Sequence, residues 1–536
     1  MAVNSGYVKL FRAIISVSDK EGLAEFAAEL QALGVEMLAT GGTFKALKDG
    51  GIAAKSLQED MHLPSALSGR VKTLHAPLQA AILARRTEEH LRELSAMGVG
   101  PVDAVVVNFY PFREAATKPG VKDDELVEMI DIGGPTMVRA AAKNFERVLV
   151  VPSPALYPEV LRELRGGGGG TTLSFRKRLA VAALSMTSAY DAEIYNHLAR
   201  GLSSGFPERF LLSASRMMDA KYGENPGTKA TIYSIDGRRT LSSWKQLAGE
   251  EMSFNNVLDL GSAYAIVEGF GGAAAAATVK HGQISGFAFA PTVTEAYRLA
   301  HTCDPEADFG GCVVTNSPID AEAARLIGKN EGKDDGSVYT EMVVAPGFSA
   351  EALATLVAKQ KRKIRIVRAD VRPDYPYDVK VMQGVVLVQD AVDYRDKLDR
   401  SKVSVVTKRS PEPGELEKLL AAWEVVRRVQ SNGIVIGEGV VEGGKLTRFW
   451  TLGVGSFRKR NGAVKIALDN AGSRAKGAVC ASDGFFPFRD SVDLLGRAGV
   501  SSVIQPGGSA RDAESVRAAD EYGMAMVFTH VRAFRH

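Results

Sequence analysis

A chain of 536 residues, 45% hydrophobic and 24% charged, has the composition of a soluble globular protein and length for about two to four domains. Its net charge of +3 is small for that length, and no basic run is interleaved with aromatics, which excludes the usual footprint of a nucleic-acid binder. Three cysteines (Cys303, Cys312, Cys480) without a CxxC pair exclude a disulfide framework and a cysteine zinc site; with no long apolar amino-terminal region and no bilayer-length apolar run, the sequence predicts a cytoplasmic protein without a membrane partner.

Arg12 to Lys20 reads as a buried strand that ends in hydroxyls, followed by a helix from Gly22 to Leu33 with Leu23, Phe26, Ala27, Leu30 and Leu33 at helical spacing. Val35 to Ala39 is a second strand, and Thr40-Gly41-Gly42-Thr43 opens a helix over Phe44 to Asp49. Strand, hydroxyl-rich or glycine-rich turn, helix, repeated twice, predicts a parallel sheet. Two such turns can gather N–H groups, hydroxyls and helix amino ends around one phosphate, although plain connecting turns have the same composition.

Gly69 to His75 (GRVKTLH) concentrates two cations, a hydroxyl and an imidazole. Ala104 to Val107 is a continuous apolar strand that delivers Asn108, Tyr110 and Pro111, and Asp131-Ile132-Gly133-Gly134-Pro135 precedes a helix, Thr136 to Asn144, carrying Arg139 and Lys143. Five glycines, Gly166 to Gly170, predict a flexible surface loop, and a long helix follows over Leu173 to Leu198. Glycine, serine and proline between Ala199 and Pro207 mark a linker, which divides the chain into domains 1–203 and 204–536.

In the second half a helical segment, Asp259 to Phe270, leads into an alanine-rich strand, Gly271 to Val279, and at its exit stand Lys280 and His281. An ammonium beside an imidazole at a strand's carboxyl end is a candidate acid-base site, since ligands gather there in open α/β sheets. The one dense basic run, Lys359 to Arg368, reads as the lining of an anionic-ligand site or a solvated edge.

GRVKTLH, NFYPF (Asn108 to Phe112) and DIGGPTMVRAAAKN (Asp131 to Asn144) resemble the amino-terminal half of the bifunctional purine-biosynthesis family, in which phosphoribosylaminoimidazolecarboxamide formyltransferase is joined to inosine monophosphate (IMP) cyclohydrolase. KYGENP (Lys221 to Pro226), SFNNVLD (Ser253 to Asp259), Lys280-His281, DFGGCVV (Asp308 to Val314), LVQD (Leu387 to Asp390), VVTKR (Val405 to Arg409), SDGFFPFRD (Ser482 to Asp490) and QPGGSARD (Gln505 to Asp512) extend the resemblance over nearly the whole chain.

For the first domain the resemblance implies a methylglyoxal-synthase-like parallel-sheet fold. Its nucleotide and phosphate contacts fall on Ser16, Ser18, Lys20, Thr40, Gly41, Gly42, Thr43, Arg70, Thr73, Asn108, Gly133 and Gly134, and its chemistry on Lys72, Tyr110, Asp131 and Lys143. The implied reaction closes a ring with loss of water, without cofactor or metal; a carboxylate takes the amide proton and cations hold the developing oxyanion. For the second half the family implies two cytidine-deaminase-like α/β/α subdomains without that fold's zinc. They transfer a formyl group from 10-formyltetrahydrofolate, a co-substrate, to the aminoimidazole carboxamide nucleotide across a homodimer interface. His281 maps to the base and Lys280 to the cationic stabiliser. Lys221, Tyr222 and Arg532 map to the phosphate, and Asn256, Phe309, Glu341, Asn432, Phe486 and Arg489 to the reacting ends. The other histidines of this half are His301, His530 and His536.

The first domain's Lys72, Tyr110, Asp131 and Lys143 are unchanged from the family pattern, and the departures that matter fall in the second half. Lys221 replaces an arginine, Gly227-Thr228 a histidine-glutamine pair, Gln283-Ile284 an asparagine-proline pair and Ala307 a serine. Ile436-Gly437-Glu438-Gly439 stands for tyrosine-alanine-lysine-asparagine, and Gly453 to Arg458 for a glycine-alanine-glycine-glutamine loop. The residues therefore leave open a cyclohydrolase with a degenerate or alternative-donor transformylase half, and a non-enzymatic phosphate-ligand sensor, beside the full bifunctional enzyme.

Overall fold

The computed structural model describes residues 6–62, 70–71, 73–199, 205–236, 244–270, 272–327, 339–359, 364–369 and 375–536. The chain divides into two compact units, Met1–Ser213 and Ala214–His536. Among the described residues no helix is long and apolar enough to cross a membrane.

In the first unit, Ala13, Ile14 and Ile15 are fully buried, as a strand covered on both faces requires. This strand, β1 (Arg12–Ser16), is followed by α1 (Leu23–Ala32), β2 (Glu36–Ala39), α2 (Gly41–Asp49), β3 (Lys55–Ser56), α3 (Ala76–Leu83), β4 (Ala104–Val107), α4 (Gly133–Lys143), β5 (Leu149–Val151), α5 (Tyr157–Gly166) and α6 (Leu173–Leu198). The strands form one parallel sheet in the order β3-β2-β1-β4-β5. Leu23, Phe26, Leu30, Val160 and Leu164 cover one face. Leu78, Ile82, Met137, Val138 and Ala141 cover the other.

The glycine run is structured rather than a loose loop. Gly166 closes α5, Gly168 and Gly169 turn with φ of 59° and 90°, and Gly170 pairs with Lys9 in a short antiparallel ladder. A Cβ on Gly170 would lie 2.5 Å from the Tyr7 ring, so these glycines answer a steric demand.

The second unit repeats one arrangement twice. Its first copy is β6 (Lys245–Ala248), α7 (Phe254–Val267), β7 (Ala274–Lys280), β8 (Gln283–Ala290), α8 (Val293–His301), β9 (Gly311–Thr315), α9 (Ala321–Leu326), β10 (Thr340–Ala345), α10 (Ala350–Ala358) and β11 (Arg365–Arg368). The second copy is β12 (Ser404–Val405), α11 (Pro413–Val426), β13 (Gly433–Glu442), β14 (Lys445–Ser456), α12 (Arg460–Ala471), β15 (Val479–Ser482), α13 (Asp490–Arg497), β16 (Ser502–Gln505), α14 (Asp512–Glu521) and β17 (Ala525–Phe528). Each copy has an antiparallel hairpin, three parallel strands and an antiparallel edge strand. The two join as one twelve-stranded sheet, β6-β11-β10-β9-β7-β8-β14-β13-β15-β16-β17-β12, through Ala288 opposite Trp450 and Phe289 opposite Phe449.

Glycines on the inner hairpin strands let the following helix approach its sheet. A Cβ on Gly286 would lie 2.0 Å from the Ala300 carbonyl oxygen of α8, and one on Gly453 or Gly455 1.9 or 2.1 Å from the Ala467 or Ala463 oxygen of α12. Gly453 and Gly455 thus lie inside β14, not in a loop, and Ile436 to Gly439 lies inside β13, where a Cβ on Gly437 would meet the Phe449 ring at 2.5 Å. Two cations of the basic run are held structurally, while residues 360–363 lie outside the described residues: Lys359 donates to the carbonyls of Ala324 and Arg325 near the end of α9, and Arg365 is buried against Glu341 and the Glu251 carbonyl. Gly455→Ala should destabilise the protein by about 1–3 kcal/mol or more, because the obstacle is helix backbone. Urea unfolding of the two proteins checks this, and an unchanged midpoint would contradict the packing.

Candidate functional site

The two turns at the carboxyl ends of β1 and β2 meet. Ser16 Oγ lies 2.8 Å from Thr40 Oγ1, and Thr43 Oγ1 accepts from the Val17 N–H at 3.0 Å. Asn108, at the end of β4, accepts from the N–H groups of Ser18 and Asp19 at 2.7 and 2.9 Å, and donates to the Asp19 carbonyl. Gly41 and Gly42 form the first turn of α2 instead of preceding it, and no side chain caps that turn. Its N–H groups, beside the hydroxyls of Ser16 and Thr40, suit an anion. Lys20 donates to the Ser18 carbonyl at 3.2 Å on the rim, and Arg70 is ion-paired with Glu128.

Asp131 stands at the amino end of α4, where Oδ1 accepts from the Gly134 N–H at 2.8 Å. Gly133 and Gly134 are forced here: a Cβ would lie 2.0 Å from Thr73 Oγ1 in the first case and 2.6 Å from Asp131 Oδ2 in the second. Burial raises the Asp131 pKa, against the lowering effect of the N–H groups of Gly134, Tyr110 and Gly133. Burial, then the neighbouring Asp131 charge, raises that of Tyr110, whose ring is 50% exposed. Tyr190 of α6 was not among the expected residues; its hydroxyl accepts from the Asp131 N–H at 2.7 Å and donates to the Met129 carbonyl. Helical spacing marks Tyr190 only as a core residue, and nothing local links it to Asp131. Lys143 lies at the opposite end of α4, about 15 Å along the axis from Gly133 by helical rise, so the structure does not group it with Asp131. Lys72 lies outside the described residues.

In the second unit, Lys280 and His281 do not stand at the carboxyl end of a parallel strand. β7 runs antiparallel to β9, with Val279 opposite Cys312, so the pair sits at the amino-terminal edge of β9 and β10. His281 and Gly282 have φ of 52° and 72°, the two left-handed residues of a tight hairpin turn into β8. The Gly282 N–H donates to Asp259 Oδ1 at 2.7 Å, and Lys280 Nζ to the Phe309 carbonyl at 2.8 Å. Burial raises the Asp259 pKa, opposed by the Gly282 hydrogen bond and the His281 charge. His281 borders a pocket of about 370 Å³ with Asn255, Asp259, Gln283, Gln430, Arg535 and His536. Asp259, Gln430 and Arg535 were not singled out from sequence; SFNNVLD contains Asp259, but no spacing tied it to a turn 23 residues away.

The other expected residues form separate groups along the same sheet edge. Asn256 Nδ2 donates to Glu341 Oε1 at 2.9 Å, and Lys221 pairs with Glu250 while the Tyr222 carbonyl accepts from the Phe254 N–H. Asn432 accepts from Arg460 at 2.6 Å and donates to the Phe457 carbonyl; Arg460 in turn pairs with the buried Asp483. Phe486 is fully buried and contributes its N–H to Gln505; Arg489 is paired with Asp493 and Glu521; Arg532 lies over the Phe485 ring at 5.3 Å. From β10 to β15 this edge spans six inter-strand steps, about 29 Å.

The AICARFT/IMPCHase bienzyme family profile matches residues 141–470, and the MGS-like domain profile residues 22–136. "Bifunctional purine biosynthesis protein PurH" of Desulfitobacterium hafniense (strain DSM 10664 / DCB-2) is 43% identical, covering 98% of this chain and 99% of its own length. The protein of the same name from Listeria monocytogenes (serovar 1/2a) is 41% identical, covering 98% of this chain and 100% of its own. A solved structure titled "Crystal structure of ForH" is 36% identical, covers 35% of this chain and 99% of its own, and has a TM-score of 0.32.

The raised Asp131 pKa has a consequence for stability. The native carboxyl holds its proton to higher pH than the unfolded one, so its ionisation penalises the folded state as pH rises from the ordinary value of 3.8 through the raised one. Asp131→Asn should therefore unfold at a higher urea concentration than wild type at neutral pH, and its advantage should shrink on acidification. A variant less stable than wild type at neutral pH would contradict this.

Proposed function

Because the chain belongs to the AICARFT/IMPCHase bienzyme family, we propose that it carries out the last two steps of purine (IMP) biosynthesis, formyl transfer to the aminoimidazole carboxamide nucleotide followed by cyclisation to IMP. The observation that carries this reading is the presence, in one chain, of two separate acid-base constellations, Asp131 at the head of α4 and Lys280-His281 over Asp259.

The formyl donor is 10-formyltetrahydrofolate, acting as co-substrate. The nucleotide's amine has its lone pair delocalised into the ring and carboxamide, so attack on the formyl carbon needs simultaneous proton removal. His281 takes that proton. Its exposed position on a turn whose next N–H, that of Gly282, is held by the Asp259 carboxylate supports this role. Lys280 stabilises charge on the formyl oxygen or the departing folate nitrogen. Cyclisation belongs to residues 1–203. There the carboxamide nitrogen attacks the formyl carbon, Asp131 accepts the amide proton, and water leaves. The raised Asp131 pKa makes it a stronger base than an ordinary carboxylate, and the β1 and β2 turns with Asn108 suit the nucleotide phosphate. Lys72 and Tyr110 complete the cyclisation site in this reading, whereas the position of Lys143 favours a helix-end role.

Residues 204–536 work as a homodimer. Two features support it: the expected substrate contacts spread over about 29 Å of sheet edge, and a hairpin, Tyr377–Met382 with Val385–Asp390, exposes Val381 by 73%, Met382 by 59% and Val385 by 58%. The glycine departures from the family weigh little against formyl transfer: Gly437, Gly439, Gly453 and Gly455 lie within strands, and Gly227 makes a turn with φ of 90°.

Purified protein should form IMP both from the unformylated nucleotide with 10-formyltetrahydrofolate and from the pre-formylated nucleotide. His281→Ala should abolish only the first reaction, Asp131→Asn only the cyclisation. IMP from the pre-formylated nucleotide alone would refute the formyltransferase reading. Val381→Glu combined with Leu387→Glu should give monomers in sedimentation that cyclise but do not transfer formyl groups; an intact dimer would remove the hairpin from the interface.

A further inference from the structure

Lys280 is held by a backbone carbonyl, and that carbonyl belongs to a short segment with an unusual anchor. Phe309, whose oxygen accepts from Lys280 Nζ at 2.8 Å, follows Asp308. The Asp308 carboxylate is 7% exposed and contacts His301 Nδ1, at the carboxyl end of α8, through Oδ2. The His301 side chain is 18% exposed and its ring stacks on Tyr297, with centroids 6.0 Å apart. Burial raises the Asp308 pKa, and against it His301, then the uncharged Thr278 hydroxyl buried beside the carboxylate on the strand that ends at Lys280, favour the ionised form. His301 is therefore the cation-capable partner of a carboxylate otherwise sealed in the protein.

The rest of the segment is fixed by backbone contacts. The Asp308 carbonyl accepts from the Gly311 N–H at 3.0 Å, Gly310 turns with φ of 76°, and its N–H donates to the Tyr339 carbonyl at 2.6 Å. These bonds set the turn's shape, and the Asp308 side chain ties it to α8 through His301. A carboxylate buried this far is tolerated because a donor faces it, and removing the donor leaves an uncompensated charge or a protonated acid that no longer fixes its orientation.

We propose that the His301–Asp308 pair positions Lys280 for formyl transfer, by fixing the Phe309 carbonyl that holds its ammonium. His301 is a positioning residue: it acts through Asp308 and Phe309, and nothing places it against the reacting atoms. The inference rests on the reading of Lys280 as the cationic stabiliser of the transfer step. A cation must sit within a fraction of an ångström of the developing charge to stabilise it, so loosening its anchor lowers turnover rather than nucleotide binding.

The test compares His301→Phe, which keeps an aromatic ring for Tyr297 but removes the donor, with His301→Gln, which keeps an N–H donor. His301→Phe should lower the kcat of formyl transfer on the order of 10-fold to 100-fold, with KM for the nucleotide unchanged. His301→Gln should restore most of the loss. Cyclisation of the pre-formylated nucleotide, measured on the same samples, should stay at the wild-type rate. Wild-type transfer kcat in His301→Phe, or an equal loss in His301→Gln, would overturn the proposal. Should His301→Phe fail to fold, Asp308→Asn decides by the same readout, since it keeps the side chain's shape but weakens its hold on the imidazole. Lys280→Ala, run alongside, separates the two readings. If it keeps formyl transfer, the assignment of Lys280 fails; if it abolishes transfer while His301→Phe does not slow it, only the positioning inference fails.

Discussion

The left-handed backbone at His281 and Gly282 is the constraint on which the second unit's architecture turns. It sends β7 back as β8, and β8 is the strand that meets β14 to make one sheet of two repeats. The same reversal lifts His281 out of the ladder, where it faces a pocket. Left-handed φ is unfavourable for a histidine, and the Asp259 carboxylate offsets this by capturing the adjoining N–H at 2.7 Å. Position of the imidazole and continuity of the sheet therefore share one turn.

That turn also explains why the second unit's site residues lie along a single edge. Because β8 and β14 pair antiparallel, the amino ends of β9 and β10 fall on the same edge of the sheet as the carboxyl end of β15. Lys280, Phe309 and Glu341 come from the first set; Asn432, held by Arg460 beside Asp483, comes from the second. The Gln283 to Gln430 hydrogen bond at 3.1 Å links the two sides. A second tie runs beneath, where Asn470 bonds Asp304 at 2.6 Å and Arg474 bonds the Thr302 carbonyl at 2.7 Å, bracing the segment that carries Asp308.

The first unit solves a similar problem with shorter means. Its parallel sheet brings the turns after β1, β2 and β4 to one end, so Ser16, Thr40 and Asn108 converge without long-range devices. Glycine does the remaining work at Gly133 and Gly134, where any side chain would collide with Thr73 or Asp131. The burial that raises the Asp131 pKa is thus built from tight backbone packing, steadied by Tyr190.

Local pattern determined much of this protein. Ala104 to Val107 and Leu173 to Leu198 occupy the element bounds that their apolar runs and helical spacing indicate. Where local pattern failed, it failed for a physical reason. A strand's sequence records which faces are buried but not whether its neighbour runs parallel or antiparallel, so the edge on which Lys280 emerges was legible only once β7 was paired with β9. The glycines of 166–170 and of β13 and β14 look like flexibility because the Tyr7 ring, the Phe449 ring and the α12 backbone that require them are distant in sequence. His301 and Asp308 are only seven residues apart, yet nothing in their spacing shows that both are buried or that the carbonyl following Asp308 holds Lys280. Chain chemistry fixed which groups were present; tertiary packing, by removing water from some and leaving it on others, decided which of them act together.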